Sequence, residues 1–263
     1  MKTQKLIALT AIFALAGGAL SAQELGAPSP NGNAGKGYIG GGLSTSDMNL
    51  KDDKVQDSNG NLVSCVKTAT EDCKDKITSN RFYVEGGWAF NKQWEAYARL
   101  GLASTKFKNA FQDNNGNWQD LNFNSAAFVG VGLRGSVYEN GAFGTGPVAQ
   151  FNWYADNDKK NVFFTGDKTT LTSHWDSTFG WAVQGKWDMW TVYGGPTYSM
   201  IQATGNYEAP GFVAKTPFVK LKEDQALGAY AGFRVAPNTN WRVNVELAYR
   251  GGFTGGAGVA FVW

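Results

Sequence analysis

Strict alternation of apolar and polar residues, sustained from residue 36 to the C-terminus, is what most narrows the folds open to this chain. Residues 241–250 show it best. Trp241, Val243, Val245, Leu247 and Tyr249 fall on one face, and Arg242, Asn244, Glu246, Ala248 and Arg250 on the other. Successive side chains of a strand point to opposite sides, so this pattern is a strand with one apolar and one polar face. The template fits 81–90, where Phe82, Val84, Gly86, Trp88 and Phe90 oppose Arg81, Tyr83, Glu85, Gly87 and Ala89, and it recurs in 94–105 and 174–187. After residue 22 no segment sustains a 3.6-residue repeat, and none approaches the ~18–20 apolar residues of a spanning helix.

Ten such runs are readable, at 36–48, 80–90, 93–107, 122–137, 145–156, 174–187, 189–206, 221–235, 240–250 and 254–263. Short connections lie near 91–92, 138–144, 188 and 237–240, and long polar ones cover 49–79, 108–121, 157–173 and 207–220. Short turns at one end and long loops at the other are the layout of a membrane barrel, and an even strand number returns both termini to one side. Asp57-Ser-Asn-Gly-Asn61 and Asp113-Asn-Asn-Gly-Asn117 sit within two of the long loops. They read as Asn-Gly turns rather than calcium loops, because the glycine is misplaced for a twelve-residue calcium pattern and no Glu closes it.

The N-terminus is an address. Lys2 and Lys5 precede a mostly apolar stretch from Leu6 to Leu20 that ends in small residues, the layout of a secretory signal peptide over 1–22. Cleavage falls after Ala22, or after Ser21 with Ala19 at the −3 position. The first cysteine is Cys65, which argues against a lipid anchor at the new N-terminus. Residues 23–35, rich in Gly and Pro, read as a short flexible periplasmic lead-in to a single barrel domain at 36–263. Removing the leader leaves 22 basic and 22 acidic residues, a balance that gives no support to a nucleic-acid partner. With one His and two Cys, the usual zinc sites are excluded, and no cofactor is expected.

A soluble barrel would turn its apolar face inward, and two features argue for the reverse. Aromatic residues crowd the short-turn ends of the strands, with Phe90 and Trp94 at one turn, Trp187 and Trp190 at another, and then Trp241, as in the aromatic girdle of a bilayer interface. The polar face also carries glycines, such as Gly87, Gly101, Gly130, Gly132, Gly228 and Gly232, interleaved with long charged side chains. That mixture suits the inside of a narrow barrel.

Gly258, Phe261 and the terminal Trp263 resemble the C-terminal assembly signal of bacterial outer-membrane β-barrels, and at the level of pattern the resemblance covers 36–263. It is to the small-barrel superfamily of opacity proteins, adhesin-type barrels and narrow porins. The resemblance implies an all-β, transmembrane antiparallel up-and-down β-barrel of about ten strands in the bacterial outer membrane, with short periplasmic turns and long extracellular loops. It further implies outer-membrane lipid, lipopolysaccharide and the barrel assembly machinery as partners, with host or surface ligands at the loops.

The polar face carries Arg81, Glu85, Glu95, Arg99, Arg134, Asp176, Lys186, Arg234, Arg242, Glu246 and Arg250. Unpaired buried charges are costly, so these are expected to pair across the lumen; a water-filled path of mixed charge is the alternative. Cys65 and Cys73 are expected to form a disulfide in the first long loop, as an even pair in an oxidising compartment. His174 and Asp176 share a strand face and could form an imidazole–carboxylate dyad, with Asp156 and Asp158 nearby, but the order does not match the omptin proteases. The expected role is therefore non-enzymatic, structural or interactive, through the extracellular loops. A narrow porin for small solutes is the alternative, and an outer-membrane protease or lipid A hydrolase the third choice.

Overall fold

The computed structural model describes residues 25–56, 62–64, 74–112, 118–160, 167–208 and 216–263. The signal peptide, Cys65, Cys73 and both Asn-Gly segments lie outside the described residues. The strands are β1 (Gly37–Gln56), β2 (Leu62–Ser64), β3 (Lys74–Ala89), β4 (Trp94–Gln112), β5 (Trp118–Asn122), β6 (Ala126–Gly135), β7 (Tyr138–Asn140) and β8 (Phe143–Tyr154). They continue with β9 (Asn157–Lys160), β10 (Lys168–Trp187), β11 (Trp190–Glu208), β12 (Thr216–Glu223), β13 (Leu227–Val235), β14 (Trp241–Tyr249) and β15 (Phe253–Val262).

Ten of them close a ring. The order β1-β3-β4-β6-β8-β10-β11-β13-β14-β15 returns to β1 through nine consecutive antiparallel pairs, from Tyr38↔Val262 to Ser46↔Thr254. Each ring strand is overlapped by one of the ten sequence runs, although 122–137 begins on β5 and 221–235 on β12. Closure leaves no sheet edge, which is what lets a β structure stand in lipid with every ladder group paired. The outward positions form an apolar band that includes Ile39, Phe82, Leu100, Val131, Phe179 and Val259. Two periplasmic turns are built alike. Asn91 Oδ1 accepts from the N–H groups of Gln93 and Trp94, and Asn238 Oδ1 from those of Asn240 and Trp241. These are Asx turns, the local chemistry for which Asn is favoured there. Trp263 lays its indole over Gly37, across the seam where β15 meets β1.

Where they are described, the long polar connections expected from the sequence are mostly strand. β1, β4, β10 and β11 run to 19 or 20 residues, while β13, β14 and β15 have 9 or 10, about the ~9–11 needed to cross a bilayer. The surplus of some ten residues carries the wall roughly 25 Å beyond the membrane at the usual rise and tilt. Above the short β14–β15 hairpin, β12 pairs with β11 on one side and directly with β1 on the other, so two strands drop out of the ring.

The alternation keeps its register through this boundary but reverses its sense. In β1 the inward residues pass from Ser44 and Ser46 to Met48 and Leu50, and the outward ones from Ile39 and Leu43 to Asp47 and Asn49. Below, the barrel is polar inside and apolar outside; above, it is built like a soluble barrel. Met48, Leu50, Ile77, Phe107, Leu121, Phe123, Leu171, Ile201, Ala203, Val219 and Leu221 form the resulting extracellular core. Leu221 is fully buried within it. Leu221→Ala should therefore destabilise the upper barrel by about 2–5 kcal/mol, as large-to-small core changes do. The expected outcome is faster proteolysis of the extracellular hairpins with the heat-modifiable gel band of the membrane barrel unchanged.

Candidate functional site

The interior below the apolar core is a single polar network. Glu85 on β3 lies at its centre, accepting from Tyr38 Oη and Arg99 Nε, both at 2.5 Å, and from Arg134 Nη2 at 3.1 Å. Arg134 on β6 also holds Glu95 at 2.8 Å. Arg99 passes the connection on by donating to Gln150 Oε1 at 2.7 Å, and Gln150 donates to Asn152 at 3.1 Å. Asn152 donates to Asp176, which also accepts from Tyr154 Oη and pairs with Arg81 at 3.2 Å. Glu95, Arg134, Glu85, Arg99, Gln150, Asn152, Asp176 and Arg81 are thus joined without a break across β3, β4, β6, β8 and β10. Guanidinium groups also lie over aromatic rings, Arg99 over Tyr83 and Arg134 over Tyr97, each at 4.5 Å.

The inward glycines have a packing role. Tyr38 faces Gly87 across its ladder, Tyr97 faces Gly132, and Tyr193 faces Gly232. In each pair a Cβ on the glycine would run into the tyrosine ring, so the small residue lets the ring lie flat along the wall and aim its hydroxyl into the lumen. Tyr38 and Tyr97 use that hydroxyl on Glu85 and Gln150.

Not every residue expected in this network belongs to it. Lys186 sits at the periplasmic rim and pairs with Glu139 at 2.6 Å, with both side chains about one-third exposed. Arg242 folds back on its own turn and donates to the carbonyls of Asn238 and Thr239. Glu246 accepts from the backbone N–H groups of Leu25 and Gly26, each at 2.9 Å. Arg234 donates to Asn244 and to the carbonyls of Ser29 and Pro30, and Arg250 to Thr178.

The partners of Glu246 and Arg234 expose a second correction. The stretch before β1 is not a flexible lead-in; from residue 25 it lies inside the periplasmic half of the barrel. Leu25 and Ala27 pack with Val148, Ala182, Tyr193 and Tyr230, because the inner wall there offers apolar surface as well as charge. Two small voids border these packed groups. One of about 20 Å³ borders the extracellular core above Arg81 and Asp176, and one of about 10 Å³ lies beside Asn31 and Glu85. Each has room for about one water.

The His174–Asp176 pair does not take the geometry of a hydrolase dyad. A bulge with Ser173 at φ 52° interrupts β10, and the His174 ring stacks on Tyr154 with centroids 4.1 Å apart. Asp176 is engaged by Arg81, Asn152 and Tyr154. Of the two nearby carboxylates, Asp158 pairs with Lys168 at 3.0 Å. At the girdle, Trp94 covers Gly135, Trp187 covers Gly185, Trp190 contacts Phe233, and Trp241 meets Phe261 edge-to-face at 5.2 Å. Phe90 is exposed just past the end of β3.

The outer face of the extracellular barrel is ionic. Asp47 accepts from Thr78 and Lys108 and pairs with Lys76. Partial burial raises its carboxyl, but these hydrogen bonds outweigh it and hold the group below the usual carboxylate range. Farther along β1, Lys51 stands across from Lys222, and Lys54 from Lys220. A cleft of about 310 Å³ opens there, with Asp53 bridging Lys222 at 3.1 Å.

No family model matches the chain, and comparison with curated proteins finds no relative. Among solved structures, the outer membrane protease OmpT from Escherichia coli is similar at 11% identity and TM-score 0.47, over 87% of this chain and 97% of that one. The translocator domain of the autotransporter NalP from Neisseria meningitidis follows at 11% and 0.45, over 86% and 88%. The outer membrane protein OprG from Pseudomonas aeruginosa follows at 10% and 0.44, over 88% and 97%. The chain's own closed ring, outward apolar band and ionised interior define its class: it is a small, closed transmembrane β-barrel.

Buried pairs of this kind lose far more on removal of one partner than of both. Arg99→Met should therefore destabilise the barrel by about 3–5 kcal/mol in urea unfolding from lipid vesicles. Adding Glu85→Gln to Arg99→Met should recover part of that loss, because no uncompensated carboxylate is then left inside.

Proposed function

We propose that this barrel is a non-enzymatic, non-conducting surface protein that works through its extracellular wall and hairpins. One observation carries the reading: among the described residues, three packed layers follow one another along the lumen. The N-terminal stretch occupies the periplasmic half, the Glu85–Arg99–Asp176 network the middle, and the apolar core the top. A diffusion path would need a continuous polar column, and the upper core is a dry obstacle to one. Enzymatic function has little support, because His174 is stacked on Tyr154 and Asp176 is engaged by three other groups.

The partner reading rests on the lysine rows. Like charges directly opposed on a ladder repel, and two such pairs side by side favour an anionic partner. The patch lies just above the outward apolar band on β11, where Tyr198 and Met200 give way to Gln202 and Thr204. That is the level of outer-leaflet head groups, so lipopolysaccharide phosphates are the partner of matching charge. Host or surface ligands would meet the hairpins above. In the same reading, Gly258 and Phe261 of β15, with Trp263 just after it, present the signal to the assembly machinery.

Planar-bilayer recording and lipid binding test this together. The wild-type protein should give no steady conductance, and Lys51→Glu with Lys54→Glu, Lys220→Glu and Lys222→Glu should weaken retention of lipopolysaccharide while leaving the folded band intact. A large, steady wild-type conductance would overturn the reading in favour of a porin.

A further inference from the structure

The stretch that enters the lumen, residues 25–34, carries no charged side chain, yet it meets the most strongly charged surface of the molecule. Recognition runs through its main chain. Glu246 takes the N–H groups of Leu25 and Gly26, and Glu95 takes those of Asn31 and Gly32 at 2.7 and 2.9 Å. Gln184 Oε1 accepts from the N–H of Ser29 at 3.1 Å. In the opposite sense, Tyr230 donates to the carbonyl of Gly26, and Arg234 to those of Ser29 and Pro30. Pro28 and Pro30, which lack an N–H, fall between the matched donors. Gly26 has φ +80°, a conformation that glycine adopts without strain.

None of these bonds belongs to a β-ladder. The stretch is held by side chains from β4, β10, β13 and β14, so its departure would leave the ring of strands complete while exposing two carboxylates and a guanidinium. We propose that the periplasmic half of the lumen is a peptide-binding site. Its ligand class is an extended, uncharged, Gly- and Pro-rich chain recognised through its backbone, and residues 25–34 are its resident ligand, displaceable by a peptide of the same chemistry. The stretch thereby acts as ligand and not as wall.

The test uses the full chain with residues 25–34 replaced by ten prolines, a segment with no N–H to offer Glu246, Glu95 or Gln184. A fluorescent synthetic peptide LGAPSPNGNA is then titrated and followed by anisotropy. The replaced protein should bind it saturably, and adding Glu246→Gln with Glu95→Gln should weaken binding by roughly tenfold or more, because hydrogen bonds to charged groups are the stronger ones. Absence of binding, or binding indifferent to both Gln substitutions, would overturn the proposal. If the replaced chain does not fold alone, peptide present during refolding should restore the heat-modifiable band. Failure to restore it overturns the proposal equally.

Discussion

A charge enclosed by a closed sheet in lipid has nowhere to find water, and the rest of this structure follows from meeting that demand. The ladder satisfies the backbone, but closure also turns one face of every strand into an interior too narrow to hydrate. Arg99 and Arg134 answer Glu85, Arg81 answers Asp176, and the neutral Gln150 and Asn152 join the two clusters. Because the groups are shared, loss of one partner propagates to the next. The same demand explains the tyrosines, each laid along the wall over a glycine and supplying a hydroxyl where no further charge would fit.

Interior chemistry also accounts for the three layers. Charges can be reconciled with one another only where strands bring opposite signs together, which happens from β3 to β10. On the side of β13 and β14 the wall carries Glu246 and Arg234, and the chain's own backbone supplies the missing donors and acceptors. Above the membrane the outside is wet, so the requirement reverses and apolar residues turn inward. The resulting body is a membrane barrel with a soluble barrel built on its rim, and its exposed chemistry lies on the outer wall and hairpins.

How much of this was legible depended on which physical signal each part leaves. The ten crossing strands follow from alternation, and the inward faces of Arg81, Glu85, Glu95, Arg99 and Arg134 follow with them. The extracellular extensions were hidden because their alternation has the opposite sense. Leu50, Ile77, Leu121, Leu171 and Val219 are spaced as strand residues, but their polar and charged neighbours made the segments look like polar loops. Gln150, Asn152 and Tyr154 were available from the period of two on β8, yet a search for charges passes over neutral linkers. Residues 25–34 have neither a repeat nor a charge, and their placement depends on backbone groups that every sequence possesses. Composition alone therefore reads them as a linker.

Solvent access to the lumen tests the central claim most directly. Ala182 points inward from β10, is fully buried, and packs against the inserted stretch. With Cys65 and Cys73 replaced by Ser, the Ala182→Cys protein can be exposed, folded in lipid vesicles, to a small water-soluble thiosulfonate. The filled lumen predicts no labelling until the protein is unfolded. Labelling of the folded barrel at the rate of a free thiol would contradict it.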